Sequence, residues 1–146
     1  MGIPKGKELK MRYSYDFTRD GGAISEIALT KEGSGSGLQE GFVITDMTVY
    51  METELTSAGT PTLTLGNSTD PDGYFADFFG AVGDDVILNR GDRAGALIWD
   101  DTNDHPIHYR IDGTAANQDL VMDVGTAAVT AGKLLVTITG YVPPSF

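Results

Sequence analysis

"FVITDMTVYMETEL", residues 42–55, alternates apolar and polar side chains over most of its length. Val43, Met47, Val49, Met51 and Leu55 fall on one side of a period of two, and Asp46, Thr48, Glu52 and Glu54 fall on the other. That alternation marks a strand with one buried and one wet face. The same period recurs near both ends of the chain. In "ELKMRYSYDF", residues 8–17, Leu9, Met11, Tyr13, Tyr15 and Phe17 alternate with Lys10, Arg12, Ser14 and Asp16. In "KLLVTITGYV", residues 133–142, Leu134, Val136, Ile138 and Val142 are expected to face inward, and Thr137, Thr139 and Tyr141 outward. Shorter strand candidates cover 24–30, 62–65, 94–99, 107–111 and 120–124.

Turn-forming residues separate these runs. "RDGG" at 19–22, "KEGSGSG" at 31–37, "TSAGTP" at 56–61 and "RIDGTAANQD" at 110–119 combine Gly with Asp, Asn, Ser or Pro. Such residues reach the backbone angles that tight turns need. The best helical signal is 73–79, where Tyr74, Phe75, Phe78 and Phe79 are spaced to bury one side of one or two turns. About eight short strands with frequent turns predict an all-β chain, a sandwich or barrel with at most short helices.

The length of 146 residues fits a single domain. The expected division is a basic N-terminal arm, 1–8, followed by a β-sandwich domain, 9–146. Cysteine is absent, which removes thiol catalysis, disulfides and Cys-based zinc sites. The net charge is −11, yet Lys5, Lys7, Lys10 and Arg12 stand near the start against Glu8 alone. The remainder is therefore more acidic than the total and would repel phosphates, so no nucleic acid is expected as a partner. No apolar run approaches a membrane span, and no apolar segment follows the leading lysines as in a secretory signal. The expected place of synthesis is a cytoplasm.

Candidate sites are sparse. "LTLGNSTDPDGYF", residues 63–75, contains a glycosylation sequon at Asn67 and the pair Asp70 and Asp72 before Gly73. Paired oxygen ligands with a glycine bend suit calcium, although no distal glutamate completes the loop. The same residues suit a purely conformational corner, and that is the expectation here. "WDDTNDHPIHY", residues 99–109, gathers Asp100, Asp101, Asp104, His105 and His108. A strand at 107–111 would point the two imidazoles in different directions, so no metal is expected there. With these the only histidines, a Ser-His-Asp triad finds little support. Arg90-Gly91-Asp92 matches a recognition tripeptide and reads equally well as a turn. The chain is expected to be non-enzymatic, without cofactor or metal.

Two segments carry a family resemblance. "ITDMTVYMETELTSAGTPTLTLGNSTDPDGYF" runs as strand, short turn, strand and acidic corner into an aromatic segment. "LVMDVGTAAVTAGKLLVTITGYVP" closes the chain as strand, Gly-Thr-Ala and final strand. The combination resembles small virion structural proteins of tailed bacteriophages, of the capsid-decoration or cement kind. That resemblance implies a single-domain, jelly-roll-like β-sandwich, non-catalytic and oligomeric as a dimer or trimer. It implies assembly in a bacterial host cytoplasm and display on the capsid surface, bound to the major capsid protein. The basic residues Lys5, Lys7, Lys10 and Arg12 are the candidate capsid contacts. A phage tail or fibre component, or a carbohydrate- or calcium-binding β-sandwich module, would share many of these features.

Overall fold

Two long antiparallel strands, β4 (Val43–Ser57) and β11 (Val129–Tyr141), form the spine of a computed structural model that describes residues 7–33, 38–93, 95–114 and 118–144. β1 (Leu9–Asp16) pairs with the other side of β11, so the three period-two runs of the sequence lie side by side. β3 (Thr30–Lys31) extends this sheet beyond β1, and β6 (Ile87–Asn89) and β9 (Tyr109–Arg110) both pair with β4. A second, three-stranded sheet has β10 (Val121–Gly125) between β2 (Glu26–Ala28) and β5 (Thr62–Gly66). β7 (Trp99–Asp100) and β8 (His105–Pro106) form a separate small hairpin.

One hydrophobic core serves both larger sheets. It joins Tyr15, Val49 and Val136 of the first to Leu63, Leu65 and Met122 of the second, all fully buried. The expected all-β class is therefore what the chain adopts. Strands number eleven among the described residues, because β6 and β8 add to the eight expected runs and the candidate at 24–30 divides in two. The candidate at 24–30 divides into β2 and β3, which belong to different sheets. Leu29, between them, is buried and donates its N–H to the Leu120 carbonyl at 2.9 Å.

Other expectations need correction. Val43 does not share the buried face of β4; Ile44 takes that place and is fully buried, while Val43 is only half-buried. The register explains this: Thr139 pairs with Asp46, but the next residue, Gly140, pairs with Ile44. Thr45 is an extra residue in β4, and a bulge of one residue exchanges the two faces. The segment 73–79 is not helical. Leu65 and Phe75 exchange backbone hydrogen bonds of 2.9 and 3.0 Å across an isolated bridge, which holds the aromatic run extended beside β5. Tyr74, Phe75 and Phe78 are buried as expected, and a 3-10 turn at Phe79–Ala81 follows. The 94–99 candidate reaches strand conformation only at Trp99, and residue 94 lies outside the described residues, as do 34–37 of the Gly-Ser loop.

Among the described residues the one α-helical turn, α1 (Phe17–Asp20), ends β1. Asp16 accepts the Thr18 N–H at 2.9 Å, and Asp20 accepts the Asp16 N–H at 3.0 Å. Each carboxylate thereby satisfies a backbone donor that the helix cannot. The Tyr15 hydroxyl donates to the Gly21 carbonyl at 2.6 Å and locks the chain reversal onto the core.

Candidate interaction face

Among the described residues, the outward side chains of β1, β11, β4 and β6 are exposed or half-buried and lie outside the hydrophobic core, so they form an uncovered sheet face. Its rows follow from the ladder. Arg12 stands beside Thr137, then Thr48, then Asn89. Ser14 stands beside Leu135, then Tyr50, then Ile87. Ile87 is 59% exposed, which leaves a large apolar side chain in water at the end of an apolar row. The middle of the face bears no charge, in a chain where 21% of residues are charged.

The charges stand at its margins. Lys10 and Arg12 alternate with the buried Met11 and Tyr13, so both point outward and are exposed. Neither forms an ion pair among the described residues. Beside them, Lys10, Met11, Arg12, Lys31, Glu32 and Gly33 line a depression of about 300 Å³. Lys7 is exposed just ahead of β1, and Lys5 lies outside the described residues. At the other margin the Tyr50 hydroxyl donates to Asp85 Oδ1 at 2.6 Å. That bond, with the charges of Asp85, Glu52 and Asp84, raises the phenol above its ordinary pKa. Two further pairs neutralise themselves: Lys133 with Asp16 at 3.6 Å and Arg90 with Asp46 at 3.8 Å.

The Asp70–Asp72 corner is organised by Asn67, which the sequence showed only as part of a sequon. Asn67 is 1% exposed, and its Oδ1 accepts the N–H groups of Thr69 and Asp70 at 3.0 and 2.7 Å. An Asn heading a Ser-Thr-Asp run is the available signal for such a side-chain-capped turn. The Asp70 carbonyl then accepts from Gly73, and the Pro71 carbonyl from the Thr64 hydroxyl. Partial burial, and next the neighbouring Asp72 carboxyl, raise the Asp70 pKa. Among the described residues, no group of three or more acidic or His side chains is placed to hold a metal ion.

The remaining candidates do not converge. His105 Nε2 lies 3.5 Å from Asp100 Oδ2, and its Nδ1 lies 3.0 Å from the Pro106 carbonyl. Hydrogen bonding from Asn103 holds the Asp100 carboxyl below its ordinary pKa. His108 is exposed, as expected for the wet side of its segment. Arg90 folds back to donate to the Thr45 carbonyl of β4, and Asp92 caps the Asn89 N–H at 2.8 Å. The Arg-Gly-Asp tripeptide is thus tied up as a turn.

No protein-family model and no curated protein matches the sequence. Among solved structures, a chain of the cyanophage Pam1 capsid asymmetric unit is similar, with a TM-score of 0.61 and 18% identity. The similarity covers 98% of this chain and 93% of that one. A chain of the acid-stable capsid of Helicobacter pylori bacteriophage KHP30 gives a TM-score of 0.48 at 14% identity, over 97% and 93% of the two chains. At 18% identity the likeness to the cyanophage chain is one of fold. Over nearly its whole length, the chain shares its fold with a component of a phage capsid.

Proposed function

We propose that this is a structural protein of a tailed-phage virion, which decorates or stabilises the capsid by binding major-capsid subunits. The observation that carries the reading is the end-to-end likeness to a chain of the cyanophage capsid, with 98% and 93% of the two chains covered. The likeness of fold extends over nearly the whole of both chains and is not confined to one segment. The scattered histidines and the self-satisfied acidic corner fit a rigid module without catalysis or cofactor. In this reading the protein assembles in the host cytoplasm and is displayed on the shell.

The four basic residues of the N-terminal end divide into two groups. Lys10 and Arg12 lie within β1, whereas Lys5 and Lys7 precede it. The shell contact is assigned to the arm, 1–8, through Lys5 and Lys7, and the sandwich, 9–146, supplies the rigid body. Exposed charges of this kind are screened over about 8 Å at physiological salt, so the contact weakens as salt rises. The test is co-sedimentation with shells assembled without the protein, across a salt series. Wild-type protein should pellet with the shells, and the folded Lys5→Glu, Lys7→Glu variant should bind less. A wild type that stays in the supernatant with every shell would overturn the reading. A double variant that pellets like wild type would remove the arm alone.

A further inference from the structure

The uncovered face of the six-stranded sheet has the layout of a protein interface. Its centre is uncharged and carries Leu135 and Tyr50, a row that Ile87 continues onto the edge strand β6. Interface centres are depleted of charge and enriched in Tyr, with polar groups at the rim. Its unneutralised charges separate by sign. Lys10 and Arg12 occupy the β1 corner. Glu52, Asp84 and Asp85 surround the Tyr50 hydroxyl at the corner diagonally opposite, beside β6.

We propose that this face binds the same face of a second copy of the chain, as a two-fold pair. A two-fold axis lying in the face, perpendicular to the line joining the two corners, sets each basic corner over the partner's acidic one. The contact then forms twice, as an isologous interface requires. Leu135 lies close to the axis and meets its counterpart, and Tyr50 and Ile87 lie over the small, flat surface of the second copy around Thr137 and Thr48. Charge complementarity within one sequence is what selects a second copy as the occupant. The wider surface of a chain with net charge −11 repels itself, so only an orientation that matches opposite corners is attractive. Four strands about 4.8 Å apart and four rows about 6.8 Å apart give a patch roughly 20 Å on a side. A pair of such patches belongs to the weak, reversible class of interface, below about 1,200 Å² in total.

This pairing does not depend on the virion reading, because the purified chain carries both halves of the contact. It uses Lys10 and Arg12, and leaves Lys5 and Lys7 for the shell. The test is sedimentation velocity of the full chain over a concentration series at low and high salt. Wild type should show a monomer–dimer equilibrium whose Kd rises with salt. Lys10→Glu with Arg12→Glu should raise Kd at least tenfold, as should Leu135→Asp, which puts a charge at the centre of the face. Both variants should keep the wild-type melting temperature at concentrations where all are monomers, because the three residues lie on the outward face. A strictly monomeric wild type, a closed trimer, or a dimer indifferent to both variants would overturn the proposal.

Discussion

Val136 lies directly opposite Val49 across β11 and β4, and neither side chain is exposed. The neighbouring Thr137 points the other way, toward the uncovered face between Arg12 and Thr48. Adjacent strand residues thus sample opposite environments. Val136→Asp should unfold the chain, because an unpaired buried carboxylate costs several kcal/mol against a typical total of about 5–15 kcal/mol. Thr137→Asp should shift stability by about 0.5 kcal/mol or less, as for an ordinary surface change. Urea melts of the two variants at low protein concentration check this. Equal midpoints would mean that the faces are assigned wrongly.

Gly132 allows β11 to cross the irregular end of β4. Its φ is +126°, and a Cβ there would stand 2.7 Å from both the Glu54 carbonyl oxygen and the Leu55 Cα. The register slips across it, between Ala131 and Lys133, and on either side of it, between Val129 and Ala131 and between Lys133 and Leu134. Gly132→Ala should therefore destabilise by at least about 1–3 kcal/mol, from backbone strain alone. Thr130→Ala, nearby and exposed, gives up a 2.9 Å hydroxyl contact with Thr56 and should lose about 1 kcal/mol or less. Thermal melts that rank the two in the opposite order would contradict this account of the bulge.

Asp70 makes stability depend on pH in a direction that can be checked. Its folded-state pKa is raised above 3.8, first by burial and then by Asp72. Between the unfolded and folded values the native chain holds more protons, so stability falls as pH rises through that window. The penalty is complete above the folded pKa and absent below the unfolded one. Asp70→Asn removes it while preserving the backbone turn. The variant should melt roughly 1–3 °C above wild type at pH 7, and the gain should shrink as pH falls toward 3. A variant less stable than wild type at pH 7 would show that the Asp70 carboxylate supports the corner.

The long strands were legible because a half-buried strand writes its two faces into alternate residues, as in Met11, Tyr13 and Tyr15 or Leu134, Val136 and Ile138. What interrupts that alternation was not legible. The Thr45 bulge exchanges Val43 for Ile44 through pairing with β11, a strand more than eighty residues away. The division of 24–30 between two sheets at Leu29 depends on a partner, Leu120, that is equally distant in sequence. The aromatic run at 73–79 has spacing suited to a helix, and tertiary pairing of Phe75 with Leu65 overrides it. On the candidate face, the basic residues Lys10 and Arg12 were visible in sequence. Their diagonal opposition to Glu52, Asp84 and Asp85 needs the order β1–β11–β4–β6, which no local pattern specifies.

The place of the protein in the virion can be read from a cryo-EM reconstruction of the intact particle. Density on the capsid surface should fit the six-stranded sheet and its three-stranded partner, with the N-terminal end of β1 directed toward the major-capsid subunits. Density for this fold in the tail, or none on the head of particles that contain the protein, would contradict that placement.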